Sequence, residues 1–492
     1  MTRKLTRRSV LKAAAAGGLG YLFTGPAFSV LKAADANSRL RFAGIGVGGK
    51  GHGDIEQAGN LGDVIAVVDV DETDKFRGWA EKKWPKAKAF YDYRKLFDDP
   101  IFKDVDAVTV STPDHHHANA AVPAMRAGKH VYCQKPLTHT VFEARMMMEV
   151  ARKYKVCTQM GNQGTAANGL RRAVEKIRGG VIGTVKEAHV WTNRPIWDQA
   201  PKITKRPDKS DTPPATLHWD EWLGKAPERP YVGGRRYHDF AWRGWWDFGT
   251  GAIGDMACHT ANMLFMALNL DHPTKVAAEA GDVNPETCPS WAHVTMNFPK
   301  RDKREAITLH WYEGQRDKKY VLPSADLVPG QKKRDSGYAV FFENGLWKFA
   351  DPSQKDPKKQ LITVSSGSFL VGDKGVLFSP DDYGADAYVV TPDGVEHITG
   401  DPETLPKNGK GDQGQKNEWV QAIKDNKPAT ALSNFDYAAL LTESFLLGNV
   451  AIRSGKPFEW DGVNLKVVGN PDAQKFIRGE YRKGWDLVGE KA

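Results

Sequence analysis

At 492 residues the chain exceeds what one hydrophobic core of ordinary size can organise, so two domains are expected. Its 40% hydrophobic and 26% charged residues are those of a globular protein, which excludes a disordered or membrane-embedded chain. The net charge is +9, but residues 1–36 hold six bases against one acid, so the rest carries only +4. No basic, aromatic-interleaved face points to a nucleic-acid partner.

Thr6-Arg7-Arg8-Ser9-Val10-Leu11-Lys12 resembles the twin-arginine export motif, and the apolar run from Ala13 to Phe23 behind it is too short to span a bilayer. Residues 1–36 are therefore read as a signal peptide, cleaved near Ala34 or Ala36. It hands the chain to the twin-arginine export machinery and so to the periplasm, without a stable membrane span. Likeness to such substrates implies export in the folded state with any cofactor already in place. The four cysteines, Cys133, Cys157, Cys258 and Cys288, lack the paired short spacing of a zinc knuckle or a disulfide framework.

Leu40 to Ile45 reads as a strand that runs into Gly46-Val47-Gly48-Gly49-Lys50-Gly51. G-x-G-x-x-G fits at Gly46, Gly48 and Gly51, with an overlapping register at Gly44, Gly46 and Gly49; the first leaves the longer strand. There Gly46 makes the tight turn, Gly48 lets a pyrophosphate approach the backbone, and Gly51 lets the next helix pack close, with Gly49 and Lys50 in the same phosphate-binding turn. The next strand, Val64 to Val68, ends in Asp69, about 20 residues on, where a carboxylate meets a ribose 2′-hydroxyl. Together these predict a dinucleotide site that takes NAD rather than NADP, because Asp69, with Asp71 close behind, repels a 2′-phosphate.

Asp106 to Ser111 is a further strand, ending in Thr112-Pro113-Asp114-His115-His116-His117. Adjacent side chains in an extended segment diverge, and no Cys or Glu stands at ligand spacing beside them, so no metal site is assigned. Thr112, Pro113 and His117 are read instead as the loop over the nicotinamide-side ribose. A helix from Ala118 to Ala127 leads to the short strand of His130-Val131-Tyr132-Cys133, which Pro136 terminates. Lys135 is thereby held at the carboxyl end of a strand, where ligands of open α/β sheets sit, as a proton donor or anion anchor, with Gln134 beside it on the cofactor.

A helix from Thr140 to Lys155 and a strand from Val156 to Met160 lead to Gly161-Asn162-Gln163-Gly164, a polar turn expected to cap the reactive end of the cofactor through Asn162 and Gln163. The segment from Thr192 to Phe248 is too irregular for a core element. It is read as a substrate-side excursion in which Trp191, Trp197, Trp242, Trp245 and Trp246 stack on sugar faces and Arg194 and Arg243 take hydroxyls. Tryptophans packing against one another remain the alternative. Gly249 to Gly254 opens a helix that carries Asp255 and His259, four residues apart and so on one face. Alternating stretches at His293 to Phe298, Ile307 to Trp311 and Ala387 to Val390 suggest strands, and Asn417 to Ile423 and Asp436 to Ile452 suggest helices covering that sheet.

The Gly46-x-Gly48-x-x-Gly51 turn, Asp69, Thr112-Pro113-x-x-x-His117, Ala127-Gly128-Lys129-His130-Val131 and Lys135-Pro136 resemble, in order and spacing, the glucose–fructose oxidoreductase, inositol dehydrogenase and rhizopine catabolism protein family. The resemblance implies an α/β chain with an N-terminal Rossmann domain over residues 37–160. A C-terminal α/β domain with a mostly antiparallel sheet would follow over 161–492, for substrate binding and homo-oligomer formation. It implies a catalytic triad of Lys135, Asp255 and His259; His259 is read as the base, oriented and charged by Asp255, with Lys135 polarising the oxygen or relaying the proton, and an exchange of roles between Lys135 and His259 is the alternative. It departs from the family at Gln134, where Glu usually precedes Lys-Pro, and at Asn262, where an acid is common. The expected activity is nicotinamide-dependent oxidoreduction of a sugar, polyol or glycoside hydroxyl with the cofactor retained. Redox-neutral hydrolysis, elimination or isomerisation through transient oxidation is the rival, and a non-catalytic sugar-binding protein the second.

Overall fold

The computed structural model describes residues 39–302, 304–330 and 337–487, so the expected leader lies outside the described residues. Strands β1 (Leu40–Ile45), β2 (Gly62–Val68), β3 (Lys88–Phe90), β4 (Ala107–Val110), β5 (His130–Cys133) and β6 (Thr158–Met160) form a parallel sheet in the order β3-β2-β1-β4-β5-β6. The order reverses between β1 and β4. A crevice opens there at the carboxyl ends of the strands, and the glycine turn, Thr112-Pro113 and Lys135 all emerge into it.

Helices α1 (Lys50–Gly59), α2 (His117–Arg126) and α3 (Val141–Tyr154) flank this sheet. The limits of α3 follow from its ends. Thr140 Oγ1 accepts from Glu143 N at 3.3 Å while the Glu143 carboxylate accepts from Thr140 N at 3.1 Å, and Lys155 closes the helix in the left-handed region at φ 53°.

Strands β7 (Val185–Thr192), β8 (Lys275–Gly281), β9 (Trp291–Phe298) and β10 (Ile307–Arg316) form the centre of an eleven-stranded sheet, in the order β7-β10-β9-β8. Every pairing in it is antiparallel except that of β7 with β10. β9 alternates half-buried and buried residues, as a sheet covered on one face requires. Helices α4 (Gly251–Thr260) and, further along the chain, Phe435–Ser454 cover that face; Trp311 of β10 meets Phe445 there.

The helix Gly411–Lys424, labelled α5, corrects one expectation; Phe435–Ser454 is α6. Whereas α6 covers the second sheet as expected, α5 completes the first domain. Buried Trp419 lies 5.9 Å from Phe42 and 5.8 Å from Tyr132 between ring centres, and its indole N–H donates to Cys157 O at 3.1 Å. Periodicity reveals that a helix has a buried face and is silent on what covers it. One turn earlier, Lys416 Nζ meets Asp54 Oδ1 of α1 at 2.5 Å, both fully buried. Burial alone would raise the Asp54 carboxyl, but Lys416 and Lys50 bring it below its ordinary value.

The irregular stretch up to Phe248 has a core of its own, built from Ile203, Trp222, Leu223, Tyr237, Trp245 and Phe248. Among the described residues no helix is long and apolar enough to cross a membrane. Because a buried charge left without its partner is costly, Lys416→Met should destabilise the fold by about 3–5 kcal/mol in urea unfolding. The double variant with Asp54→Asn should recover most of that loss.

Candidate active site

Gly46, just beyond β1, has φ +74°, and a Cβ there would stand 2.7 Å from Ser111 O. A Cβ on Gly51, in the first turn of α1, would stand 2.0 Å from Gly46 O. The register Gly46, Gly48, Gly51 is thus the one that is built, with the turn glycine outside the strand and the third inside the helix. Gly48 serves another purpose than expected. The space beside its Cα is filled by the Phe76 ring, 1.9 Å from where a Cβ would be, and the open side of the turn lies at Gly49, with nothing within 4 Å of that position. The N-terminus of α1 has no side-chain cap, although Gly51 N donates to Gly48 O at 2.9 Å, and such an uncapped helix start suits an anion. Lys50 beside it is ion-paired with Asp412.

Asp69 ends β2 as predicted. Its Oδ2 accepts from Val47 N at 2.9 Å and Gly48 N at 3.1 Å, and its Oδ1 accepts from Asp71 N at 3.1 Å. Asp69 therefore holds the glycine turn while lining the same cavity, which encloses about 310 Å³. Thr112, Pro113, Gln134 and Lys135 line it too.

The roof of this cavity includes Trp242 and Arg243, expected on the substrate side, together with residues that were not foreseen. It comes from the irregular segment, through Trp222, His238, Phe240, Trp242 and Arg243, and from Trp485 near the C-terminus. The roof is fastened to the first domain by His238 Nε2 with Asp71 Oδ2 at 2.9 Å, His218 Nε2 with Glu72 Oε1 at 2.9 Å, and an ion pair of Lys75 with Asp239. His115 and His116 both reach the Trp222 carbonyl, at 3.1 and 2.8 Å. The histidine run is the dock for this segment, and burial pushes His116 down to about 4.

Three expected cofactor contacts fall elsewhere. His117 is buried with Nδ1 2.8 Å from Pro136 O and Nε2 2.9 Å from Thr112 O, so it shapes both loops without lining the cavity. Asn162 is buried, donating to Cys258 O at 3.2 Å and accepting from Ser433 Oγ at 2.5 Å. Gln163 donates to Tyr383 Oη at 3.4 Å. The turn they belong to braces Gln134 from behind, since a Cβ on Gly161 would lie 2.5 Å from the Gln134 amide nitrogen. Gln134 in turn donates to Asp54 Oδ2 at 2.7 Å.

At the inner end, Lys135 Nζ donates to Asp255 Oδ1 at 2.8 Å and to Asp255 O at 2.9 Å, and Arg243 Nε donates to the same Oδ1 at 3.1 Å. The three expected residues are brought together, with a different partner for Asp255. A helical side chain leans toward the N-terminus of its helix, and two cations there outbid a neutral imidazole one turn on. His259 is buried, its Nδ1 has no hydrogen-bond partner, and the Tyr383 ring stands edge-on at 5.1 Å. Burial and the Lys135 charge push His259 well below its ordinary value, so it is neutral. Burial would raise Asp255, but Lys135 and Arg243 hold it well below the usual carboxylate range.

Asp114, passed over in the sequence, is pushed up to about 7 by burial, against a 2.7 Å bond from Thr250 Oγ1, with the Asp255 charge adding to the rise. The signal for it was its place at the carboxyl end of β4 behind Thr112-Pro113. Arg194 bonds to its neighbour Asn193, and its charge reaches His259 and Tyr383. Of the tryptophans read as sugar platforms, Trp191, Trp197, Trp245 and Trp246 are buried as packing, and Trp242 alone lines the cavity, under the Arg243 guanidinium at 4.3 Å.

Residues 39–162 match the family model described as oxidoreductase family, NAD-binding Rossmann fold, and residues 184–326 match the model for the C-terminal alpha/beta domain of the same family, together more than half of the chain. The chain belongs to this oxidoreductase family. Family relatives include a levoglucosan dehydrogenase of Pseudarthrobacter phenanthrenivorans, 32% identical over 19% of this chain and 23% of the relative. A myo-inositol 2-dehydrogenase of Thermotoga maritima is 31% identical over 29% and 42%. The chain thus spans under half the length of these relatives. In fold it resembles an inositol dehydrogenase homolog of Azotobacter vinelandii, solved with NADH and myo-inositol, at a TM-score of 0.55 and 13% identity over 86% of this chain and 98% of that one. An aldose-aldose oxidoreductase of Caulobacter crescentus, solved with glycerol, gives 0.53 and 15% over 86% and 100%.

The raised Asp114 carboxyl has a measurable consequence. Between its ordinary value of 3.8 and about 7 the folded state holds a proton that the unfolded state has lost, so this group makes stability fall as pH rises through that window. Asp114→Asn should flatten the decline in urea midpoint over the same window.

Proposed function

We propose that the protein is an NAD-dependent oxidoreductase that oxidises a hydroxyl of a sugar, polyol or glycoside and keeps its cofactor between turnovers. The observation that carries this reading is the placement of Lys135: it lines the dinucleotide cavity while its ammonium is fixed by Asp255, on the helix that presents His259. The cavity suits the group, since the glycine turn that lines its end is open at Gly49, with nothing within 4 Å of a Cβ position there. Bound NAD supplies a hydride acceptor.

The residues of the chain do the rest. Lys135 spends two of its three N–H donors on Asp255 and has a third for the substrate oxygen, which it polarises. His259, held neutral, takes the hydroxyl proton. Asp255 keeps Lys135 placed, and Arg243 ties that pair to the roof. Relatives named for levoglucosan, myo-inositol and 1,5-anhydro-D-fructose support a polyhydroxylated substrate. The roof over the cavity supports retention, and retention favours a cycle in which a second carbonyl, or the same substrate after elimination, reoxidises the cofactor in place. Such a cycle suits a protein exported to the periplasm by the leader read in residues 1–36.

Protein purified without added nicotinamide, then denatured, should release close to one equivalent of NAD. A cofactor-free protein with readily exchanging NAD would overturn retention. Lys135→Ala and His259→Ala should each lower turnover on a sugar panel by ~10²–10⁴ while leaving released NAD unchanged. His238→Ala, which unfastens the roof, should do the reverse and lose NAD on dialysis.

A further inference from the structure

The second sheet holds a cluster of side chains that this chemistry does not use. On the face of β10 opposite the one that packs Trp311 against Phe445, His310 lies in register with His189 of β7, and Glu187, two residues before His189, shares their face. Glu187 Oε1 stands 3.2 Å from Nε2 of His189 and 3.2 Å from Nε2 of His310, and one ligand atom from each of the three residues lies within 4.8 Å of the others. A four-coordinate ion with bonds of about 2.0–2.2 Å separates neighbouring ligands by roughly 3.3–3.6 Å, so the spacing is close to that of a metal site.

The remaining nitrogens point the same way. His189 is only 3% exposed, yet its Nε2 has no hydrogen-bond partner of proper geometry. Its Nδ1 meets Tyr312 Oη at 3.0 Å, and His310 Nδ1 meets His293 Nε2 at 3.0 Å. Both outer partners can accept. With each Nδ1 donating outward, both Nε2 lone pairs face the Glu187 carboxylate, which is how ligating histidines are held by the groups behind them. The Glu187 side chain is 40% exposed, which gives an ion a way in.

We propose that Glu187, His189 and His310 bind a divalent transition metal of the zinc class, with water as fourth ligand, clamping the one parallel pairing of the second sheet. Two imidazoles and a carboxylate, with no sulfur, suit zinc, nickel or copper better than magnesium or calcium.

The full chain without an affinity tag, stripped with a chelator, should take up one equivalent of Zn²⁺ by elemental analysis. Co²⁺ should give the visible bands of a four-coordinate site, and Zn²⁺ should raise the melting temperature. His310→Gln and Glu187→Gln should each weaken Zn²⁺ binding at least tenfold, and His293→Gln about 10–100-fold through loss of the outer hydrogen bond. Near-UV circular dichroism confirms that each variant is folded; if His310→Gln is not, the half-exposed Glu187→Gln carries the test. No zinc uptake, or equal affinity in folded Glu187→Gln and the parent, overturns the site.

Discussion

The ion pair of Lys135 with Asp255 governs the interior of this protein. Both side chains are largely withdrawn from water, and a charge so placed is tolerable only with its partner at hydrogen-bond distance. One comes from the end of a parallel strand, the other from a helix against the second sheet, so the pair sets where α4 lies relative to β5. Only the state of Asp255 follows from it directly: Lys135 and Arg243 keep that carboxylate ionised against its burial. Burial is the larger cause for the other two groups, lowering His259, with the Lys135 charge adding to the effect, and raising Asp114, with the Asp255 charge adding to the rise.

The segment between β7 and α4 works by a different rule. It has little regular structure, yet its aromatic side chains make a core of their own, and its edges are tied by His218 and His238 to acids of the first domain and by the Trp222 carbonyl to His116 of that domain. A covering built this way is rigid in its middle and dependent on a few polar contacts at its rim.

Much of this was legible in the chain. β1 was bounded at Leu40 and Ile45 because the glycines begin immediately after it, and the helix read from Thr140 to Lys155 is α3 with its two caps. The glycine register was also legible, since the choice at Gly46, Gly48 and Gly51 leaves the longer strand. Other features were hidden for identifiable reasons. A spacing of four residues places Asp255 and His259 on one face but does not decide which neighbour a carboxylate prefers. Trp242 and Trp245 lie three apart in the same aromatic-rich stretch, and one lines a cavity while the other is core, a distinction made by distant residues. Asn162 and His117 carry the residue types of ligand contacts, yet they support the loops that make such contacts.

The packing of α5 bears on the order in which the chain is completed as it is made. The cluster around Phe42, Val64, Val67 and Tyr132 includes Trp419, Val420, Ile423 and Ala431. The nucleotide domain therefore leaves the ribosome with a gap in its hydrophobic interior and with Asp54 paired to Lys50 but not yet to Lys416, and neither is completed until the chain around Trp419 emerges. At roughly 5–20 residues per second that wait lasts tens of seconds. Throughout it, apolar surface meant for Trp419 is open to chaperones and to other nascent chains.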